Sequence, residues 1–177
     1  MSELPSLRIG LGFDVHAFGG DRPLVLGGVT IPDAPGLAGH SDADVVAHAV
    51  ADALLGALGL GDLGTRFPAT DDRYRGAASV GFLQKIAEDI APSGYRIANI
   101  DVVIAAETPP LAAHMAAMHA AIGDALLGLA QEPGSRPPVN LKPKRAEGVG
   151  AVGRGEGIAA WAVALLVRET PPGAQSS

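Results

Sequence analysis

The stretch HSDADVVAHAVADALLGALGLGD, residues 40–62, constrains the fold most, because its apolar and its polar residues both recur at helical spacing. Ser41 or Asp42 can cap its start, and the glycines after Leu58 close it. Asp44, His48 and Asp52 fall at i, i+4 and i+8 and form one polar stripe. Val46, Val50 and Leu54 lie roughly 200° further round, on the opposite side. An ordinary solvated helix face carries Lys and Glu beside Asp, whereas this stripe holds only acids and one imidazole.

A strand with complementary chemistry precedes it. LRIGLGFDVHAF, residues 7–18, reads as extended chain, and side chains two apart in a strand face the same way. Asp14 and His16 therefore project together, with Phe13 and Val15 directed to the core. Alone, the pair reads as a surface aspartate beside a solvated histidine. With His48 added it becomes an Asp-His-His set that leaves one position open for substrate. Asp44 and Asp52 would then orient His48 or touch substrate hydroxyls. There is no cysteine, so disulfides and thiolate zinc sites are excluded and any metal must be held by His, Asp or Glu.

The rest of the chain alternates between the two kinds of element. LVLGGVTIP (24–32) reads as a strand with a bend or turn at Gly27 and Gly28, and GTRFPATDDRYRG (64–76) as a loop. Helices are expected in SVGFLQKIAEDIAPSG (79–94) and LAAHMAAMHAAIGDALLGLA (111–130). Strands are expected in YRIANIDVVIAAE (95–107), VNLKPKR (139–145) and GIAAWAVALLVRE (157–169). The pattern is α+β, a small sheet covered by helices in one domain over residues 1–177. Its core is expected over 8–169, with 1–6 and 170–177 as disordered tails. Hydrophobic residues make up 47% of the chain but aromatics only 4%, so that core must be closely packed Ala, Val, Leu and Ile. A net charge of -6 argues against a nucleic-acid partner and requires local cations for any phosphorylated substrate. The start has no basic segment followed by an apolar one, and the apolar run at 158–167 is shorter than the ~20 residues of a spanning helix. A cytoplasmic protein without membrane contact is the expectation.

GLGDLG (59–64) and GVGAVG (148–153) match a dinucleotide-binding pattern, but the first ends a helix and no helix is expected to open after the second. The segment KPKRAEGVGAVGRGEG instead concentrates Lys142, Lys144, Arg145 and Arg154 beside Glu147 and Glu156 in an otherwise acidic chain. His114 and His119, five apart on a helix, do not share a face and read as packing or surface residues.

Taken in order, RIGLGFDVHAF, LVLGGVTIP, GHSDADVVAHAVADALLGALGLGDLGTRFPATD, IDVVIAAETPP and GRGEGIAAWAVALL resemble the 2-C-methyl-D-erythritol 2,4-cyclodiphosphate synthase family over Arg8 to Glu169. The resemblance implies an α+β homotrimer with a mixed sheet, helices on one side and active sites between subunits. It implies conversion of 4-diphosphocytidyl-2-C-methyl-D-erythritol 2-phosphate to the cyclic diphosphate and CMP, in the non-mevalonate route to isoprenoids. Zn2+ would be held by Asp14, His16 and His48, and Mg2+ or Mn2+ by Glu147. Catalytic roles fall on His40, Arg145 and Glu147, and phosphate contacts on His40 and Ser41. Asp62, Leu63 and Gly64 match the loop that holds the methylerythritol part, and Phe67, Pro68, Ala69, Thr70 and Asp71 a further substrate-contacting stretch. Ala106, Glu107, Thr108, Pro109, Pro110, Leu111 and Ala112 match the cytidine-binding strand end. Lys144, Arg145, Ala146, Glu147, Ala151 and Arg154 complete the substrate contacts, with Ala151, Arg154 and Glu156 toward a central cavity that can take an isoprenoid diphosphate.

The chain departs from the family pattern at five of these positions. Gly is common where Ala43 stands, Asp at Ala69, Lys at Pro110, Thr at Arg145 and an aromatic at Ala151. If KPKRAE is extended, Arg145 and Glu147 share a side and Arg145 either meets the substrate diphosphate or pairs with Glu147. Two other activities use the same residues: a zinc-dependent phosphohydrolase, and a non-catalytic trimer that binds isoprenoid diphosphates through Arg154.

Overall fold

Glycines at positions 10 and 12 decide how the two main elements meet. A computed structural model describes residues 6–169, and in it strand β1 (Leu7–Gly20) lies against helix α1 (Val45–Leu58) with no side chain between the backbones. A Cβ on Gly10 would sit 2.0 Å from the Ala53 carbonyl oxygen, and one on Gly12 would sit 1.9 Å from that of Ala49. Only glycine allows this approach. Alanines on the facing side of the helix complete it.

The helix starts two or three residues later than expected. Asp44, not Ser41 or Asp42, is the N-cap, its carboxylate accepting from Val46 N at 3.1 Å and Ala47 N at 3.0 Å. Gly59, in the left-handed conformation, closes the helix. Val45, Val46, Val50, Leu54 and Leu55 are fully buried, and His48 is only 8% exposed, so the polar stripe faces the interior and not solvent. Each Val or Leu buried in this way contributes about 1.5–3 kcal/mol as an upper estimate.

The residues between β1 and α1 form a hairpin, β2 (Leu24–Leu26) and β3 (Val29–Ile31), and a short strand β4 (Gly36–Leu37). Gly27 and Gly28, both at positive φ, make the two-residue turn of the hairpin, so the expected single bent strand is two antiparallel ones. The 64–76 stretch is not all loop. It opens with a one-turn helix α2 (Leu63–Arg66) and ends in a 3-10 turn at Asp72–Tyr74. Helix α3 (Ser79–Ile90), strand β5 (Tyr95–Ala105), helix α4 (Met115–Ala125), strand β6 (Val139–Lys144) and strand β7 (Gly157–Arg168) follow the expected order, α4 being shorter than expected and flanked by 3-10 turns. A one-turn helix α5 (Gly150–Gly153) occurs inside the second glycine motif, where none was expected.

The main sheet runs β4-β1-β7-β5-β6, with β5 and β6 parallel and the other neighbours antiparallel. It is the mixed sheet of an α+β fold. Helix α1 lies on β1 and β7, α3 on α1, and α4 on α3. The opposite face is uncovered in the single chain. Here the expected orientation of β1 is reversed: Phe13 is 47% and Val15 52% exposed, in one row with Leu7, Ile9 and Leu11, beside Trp161 and Val163 of β7. The face that carries Arg8, Gly10, Gly12, Asp14 and His16 is the one under the helix, because its glycines admit a helix and the bulky face does not. Ser6, expected in the N-terminal tail, accepts a hydrogen bond from Arg168 N at 2.8 Å, whereas the rest of both tails lies outside the described residues. Among the described residues no helix is long and apolar enough to cross a membrane.

Candidate metal centre

Asp14 and His16 leave β1 on the covered face, and His48 leaves α1 directly above them. His16 Nε2 lies 3.0 Å and His48 Nδ1 2.8 Å from the same atom, Asp14 Oδ2, and the three donor atoms lie within 4.8 Å of one another. The other Asp14 oxygen accepts from Val15 N at 2.9 Å. The outer nitrogen of each imidazole is engaged: His16 Nδ1 donates to the Ala38 carbonyl at 2.6 Å, and His48 Nε2 lies 2.8 Å from Ser79 Oγ. A carbonyl is acceptor-only, so neutral His16 must carry its hydrogen on Nδ1 and turn a bare Nε2 lone pair on the Asp14 oxygen. Such a meeting of lone pairs needs a cation within it, either a proton or a metal ion. One carboxylate oxygen and two imidazole nitrogens, each imidazole held from behind, is a donor set that fits zinc.

The electrostatics agree. Burial disfavours the Asp14 carboxylate, but hydrogen bonds from His16 and His48 outweigh it and hold the carboxyl well below the usual carboxylate range. The hydrogen bond to Asp14 raises the His16 imidazole above its ordinary value, against burial, which opposes it. In the metal-free protein, protonated His16 therefore adds stability below its unfolded pKa of about 6.5, and this is lost as pH rises through the higher folded value. Metal binding must displace that proton. Zinc affinity measured by chelator competition is thus expected to fall as pH drops, by up to about tenfold per unit, with an onset above about 6.5. A flat profile from about pH 8 to 5.5 would exclude His16 as a ligand.

Asp44 does not orient His48. It is fully buried, and besides capping α1 its two oxygens accept from Gly27 N at 2.8 Å and Gly28 N at 2.6 Å, tying the hairpin turn to the helix. Asp52 accepts from Leu63 N at 2.7 Å and so anchors the start of α2 to α1. Burial raises the Asp52 carboxyl, opposed by that hydrogen bond.

A cavity of about 220 Å3 opens beside the cluster, lined by His16, His40, Ser41 and His48 on one side and Leu63, Gly64, Phe67 and Ala69 on the other. Three of the seven aromatic residues, Phe67, Tyr74 and Phe82, form its wall, with Phe67 and Phe82 stacked at 4.5 Å and Tyr74 edge-on to both. Sequence reasoning missed Tyr74 and Phe82, which lie in or beyond the loop read as unstructured. It also missed Arg22, whose guanidinium donates to the carbonyls of Gly39 and His40 and fixes the segment that carries His40. His40 Nε2 is buried and makes no hydrogen bond within the described residues. Asp62 caps α2 through Thr65 N at 2.7 Å. Asp71 is paired with Arg73, and Pro68 and Thr70 do not line the cavity, so that stretch is only partly brought to it.

A second cavity, about 360 Å3, is bounded by residues 106–112 and by Pro143, Lys144 and Arg145. It shares no lining residue with the first. The register places Val15, Ala159, Ala105 and Lys144 in one row across the sheet, so the ends of β1 and β5 lie at the same end, about 10 Å or two strand spacings apart. Arg145 does not pair with Glu147. Strand β6 stops at Lys144, Glu147 sits at φ 52° in a turn, and the alternation that would put the two on one side is lost. Arg145 instead binds Glu107 at 3.0 Å, and Glu107 also accepts from Ala146 N at 3.1 Å. Burial disfavours the Glu107 carboxylate, but these contacts hold it below its ordinary pKa. Glu147 is exposed and stands outside the Asp14–His16–His48 group, while Ala151 and Arg154 are exposed and Arg154 pairs with Glu156 at 2.6 Å. Ala43, where Gly is common in the resemblance, sits at φ 57°, a conformation that favours glycine.

The chain belongs to the YgbB family, whose model matches residues 7–167. It is 49% identical to the 2-C-methyl-D-erythritol 2,4-cyclodiphosphate synthase of Pasteurella multocida, over 92% of this chain and 99% of that one. Among solved structures, the IspF–CDP complex of Plasmodium falciparum matches with a TM-score of 0.78 and 29% identity, over 95% of this chain and 100% of its own. The bifunctional IspDF of Campylobacter jejuni matches with a TM-score of 0.82 and 37% identity, over 92% of this chain and 42% of that longer one.

Proposed function

We propose that this chain is a 2-C-methyl-D-erythritol 2,4-cyclodiphosphate synthase. The observation that carries the reading is the convergence of His16 Nε2 and His48 Nδ1 on Asp14 Oδ2 at the wall of a cavity that also holds His40 and Ser41. In the reaction the 2-phosphate oxygen attacks the β-phosphorus, a new P–O bond closes the ring, and the bond to the cytidine phosphate breaks to release CMP. Such a step depends on positioning and charge neutralisation more than on covalent help from the protein. When bound, zinc at Asp14, His16 and His48, with Mg2+ or Mn2+ at Glu147, supplies Lewis-acid polarisation and offsets phosphate charge.

The chain's own residues do the rest. His40 and Ser41 contact phosphate from the segment that Arg22 fixes, and the buried His40 Nε2, which has no hydrogen-bond partner among the described residues, is available for that purpose. The turn at Asp62, Leu63 and Gly64, anchored by Asp52, holds the methylerythritol part. The aromatic wall keeps water from competing with the internal phosphate. The 360 Å3 cavity takes the cytidine, with Lys144 and Arg145 adding positive charge at its edge. The apolar row from Leu7 to Val15, with Trp161 and Val163, is the surface on which further copies assemble into a homotrimer. Metal-side and cytidine-side cavities then meet across subunits, and Arg154 faces a central cavity suited to an isoprenoid diphosphate.

Purified protein incubated with the diphosphocytidyl substrate and Mg2+, followed by phosphorus NMR, is expected to yield cyclic diphosphate and CMP. Open-chain monophosphates would identify a phosphohydrolase, and zinc-loaded protein without turnover a binding trimer. Sedimentation in the same buffer should give the mass of three chains, and a fully active single chain would refute the assembly.

A further inference from the structure

His48 offers either of its ring nitrogens to a metal, and only one faces Asp14. The choice depends on which nitrogen carries the hydrogen in the neutral ring. Behind the ring, Ser79 Oγ lies 2.8 Å from His48 Nε2, and Ser79 is itself only 1% exposed. Asp42 holds Ser79 at two points: one carboxylate oxygen accepts from Ser79 N at 2.9 Å and the other contacts the hydroxyl. A carboxylate is acceptor-only, so the serine hydrogen goes to Asp42 and the Oγ lone pairs turn to the imidazole. His48 must then carry a hydrogen on Nε2, and any hydrogen on Nδ1, shared with Asp14 Oδ2 at 2.8 Å in the metal-free protein, is the one a metal displaces. Ser41 Oγ, 3.3 Å from Ser79 Oγ and 3.2 Å from His48 Nε2, fits the same direction of donation. Helix α3 has no side-chain cap of its own, so the Asp42 carboxylate also occupies its N-terminal end.

We propose that Ser79 and Asp42 are positioning residues that lock His48 as the Nε2–H tautomer and so present a bare Nδ1 to a metal ion. The inference rests on the reading of Asp14, His16 and His48 as a metal centre. It adds a relay of carboxylate, hydroxyl and imidazole in which Asp42 acts on the metal from two residues away. An asparagine at 42 keeps the volume and reverses the logic. Its oxygen is needed by Ser79 N–H, its amide group then donates to Ser79 Oγ, and the serine hydrogen is turned toward His48 Nε2. The Nδ1–H tautomer follows, with the hydrogen where the metal should be.

The test is nitrogen-15 NMR of the imidazoles in full-length metal-free protein, together with zinc affinity by chelator competition, for wild type, Ser79→Ala and Asp42→Asn. The wild-type His48 signals are expected to show a protonated Nε2. Asp42→Asn should move them toward the opposite tautomer. Both variants should weaken zinc binding by about 10- to 100-fold, as loss of a hydrogen bond behind a ligand does. If Ser79→Ala fails to fold, the isosteric Asp42→Asn decides. Unchanged affinity and unchanged nitrogen signals in Asp42→Asn, in a wild type that binds zinc, would overturn the relay and leave the metal centre standing. A wild type that binds no zinc would instead remove the metal centre, and an unprotonated Nε2 in the wild-type spectrum would overturn the relay as well.

Discussion

Replacing His48 by alanine is expected to take zinc from one ion per chain to almost none and to lower kcat/KM by about three orders of magnitude or more. That factor corresponds to about 4 kcal/mol at 1.36 kcal/mol per tenfold, the range of charge stabilisation a bound metal supplies. His48 is the one ligand contributed by α1, so without it Asp14 and His16 remain as two donors on a single strand. Two donors leave a divalent ion mostly hydrated and weakly held. Metal content by atomic emission and turnover should fall together, with circular dichroism confirming the fold. Because the ring is buried against Ser79 and Asp14, His48→Gln, which keeps bulk and polarity, serves as the companion variant. Full zinc occupancy in either variant would remove His48 from the site.

Gly12→Ala is expected to be among the most damaging single methyls in the molecule. The added carbon would lie 1.9 Å from the Ala49 carbonyl oxygen and 2.7 Å from Ala53 N, both backbone atoms that no rotamer change can clear. To reach the 3.4 Å of ordinary contact, α1 has to retreat from β1 by about 1.5 Å, against the buried Val and Leu on its other sides. Overpacking of this kind costs about 3 kcal/mol or more, and for a chain of this size that lowers Tm by roughly 6–12 °C. Zinc affinity should fall as well, since His48 adjoins Ala49 and moves with the helix. Gly56→Ala in the same helix is the contrast: its nearest neighbour would be Leu11 O at 3.9 Å, so it should be neutral or stabilise by up to about 1 kcal/mol through helix propensity. Equal Tm values for the two variants would mean that close approach does not govern this interface.

Much of the site was legible because it depends on short-range periodicity. Asp14 and His16 share a side in any strand, and a helix over 45–58 follows from its own apolar spacing. The order of strands and helices after Ser79, the one-turn α5 apart, was readable for the same reason. Where the reading failed, two patterns agreed locally and a distant contact chose between them. Asp44 and His48 are equivalent by spacing, yet one caps the helix and receives Gly27 and Gly28 from the hairpin, while the other meets a strand 34 positions away. Arg145 and Glu147 were expected on one side because two residues apart means one face, but only while the chain stays extended, and it turns after Lys144.

The sequence by itself determined the main elements, the pairing of Asp14 with His16, and the need for any metal to use oxygen and nitrogen donors. Only the tertiary structure decided which face of β1 turns inward. By hydrophobicity alone the row of Leu7, Ile9, Leu11, Phe13 and Val15 belongs in the core, and the row of Gly10, Gly12, Asp14 and His16 outside. The helix packs on the second row because backbone can meet backbone only where there is no Cβ, and that approach carries His48 to Asp14. Side-chain type is a local property and can be read along the chain. Which surfaces come into contact depends on shape at positions far apart in sequence, and it is expressed only when the elements pack.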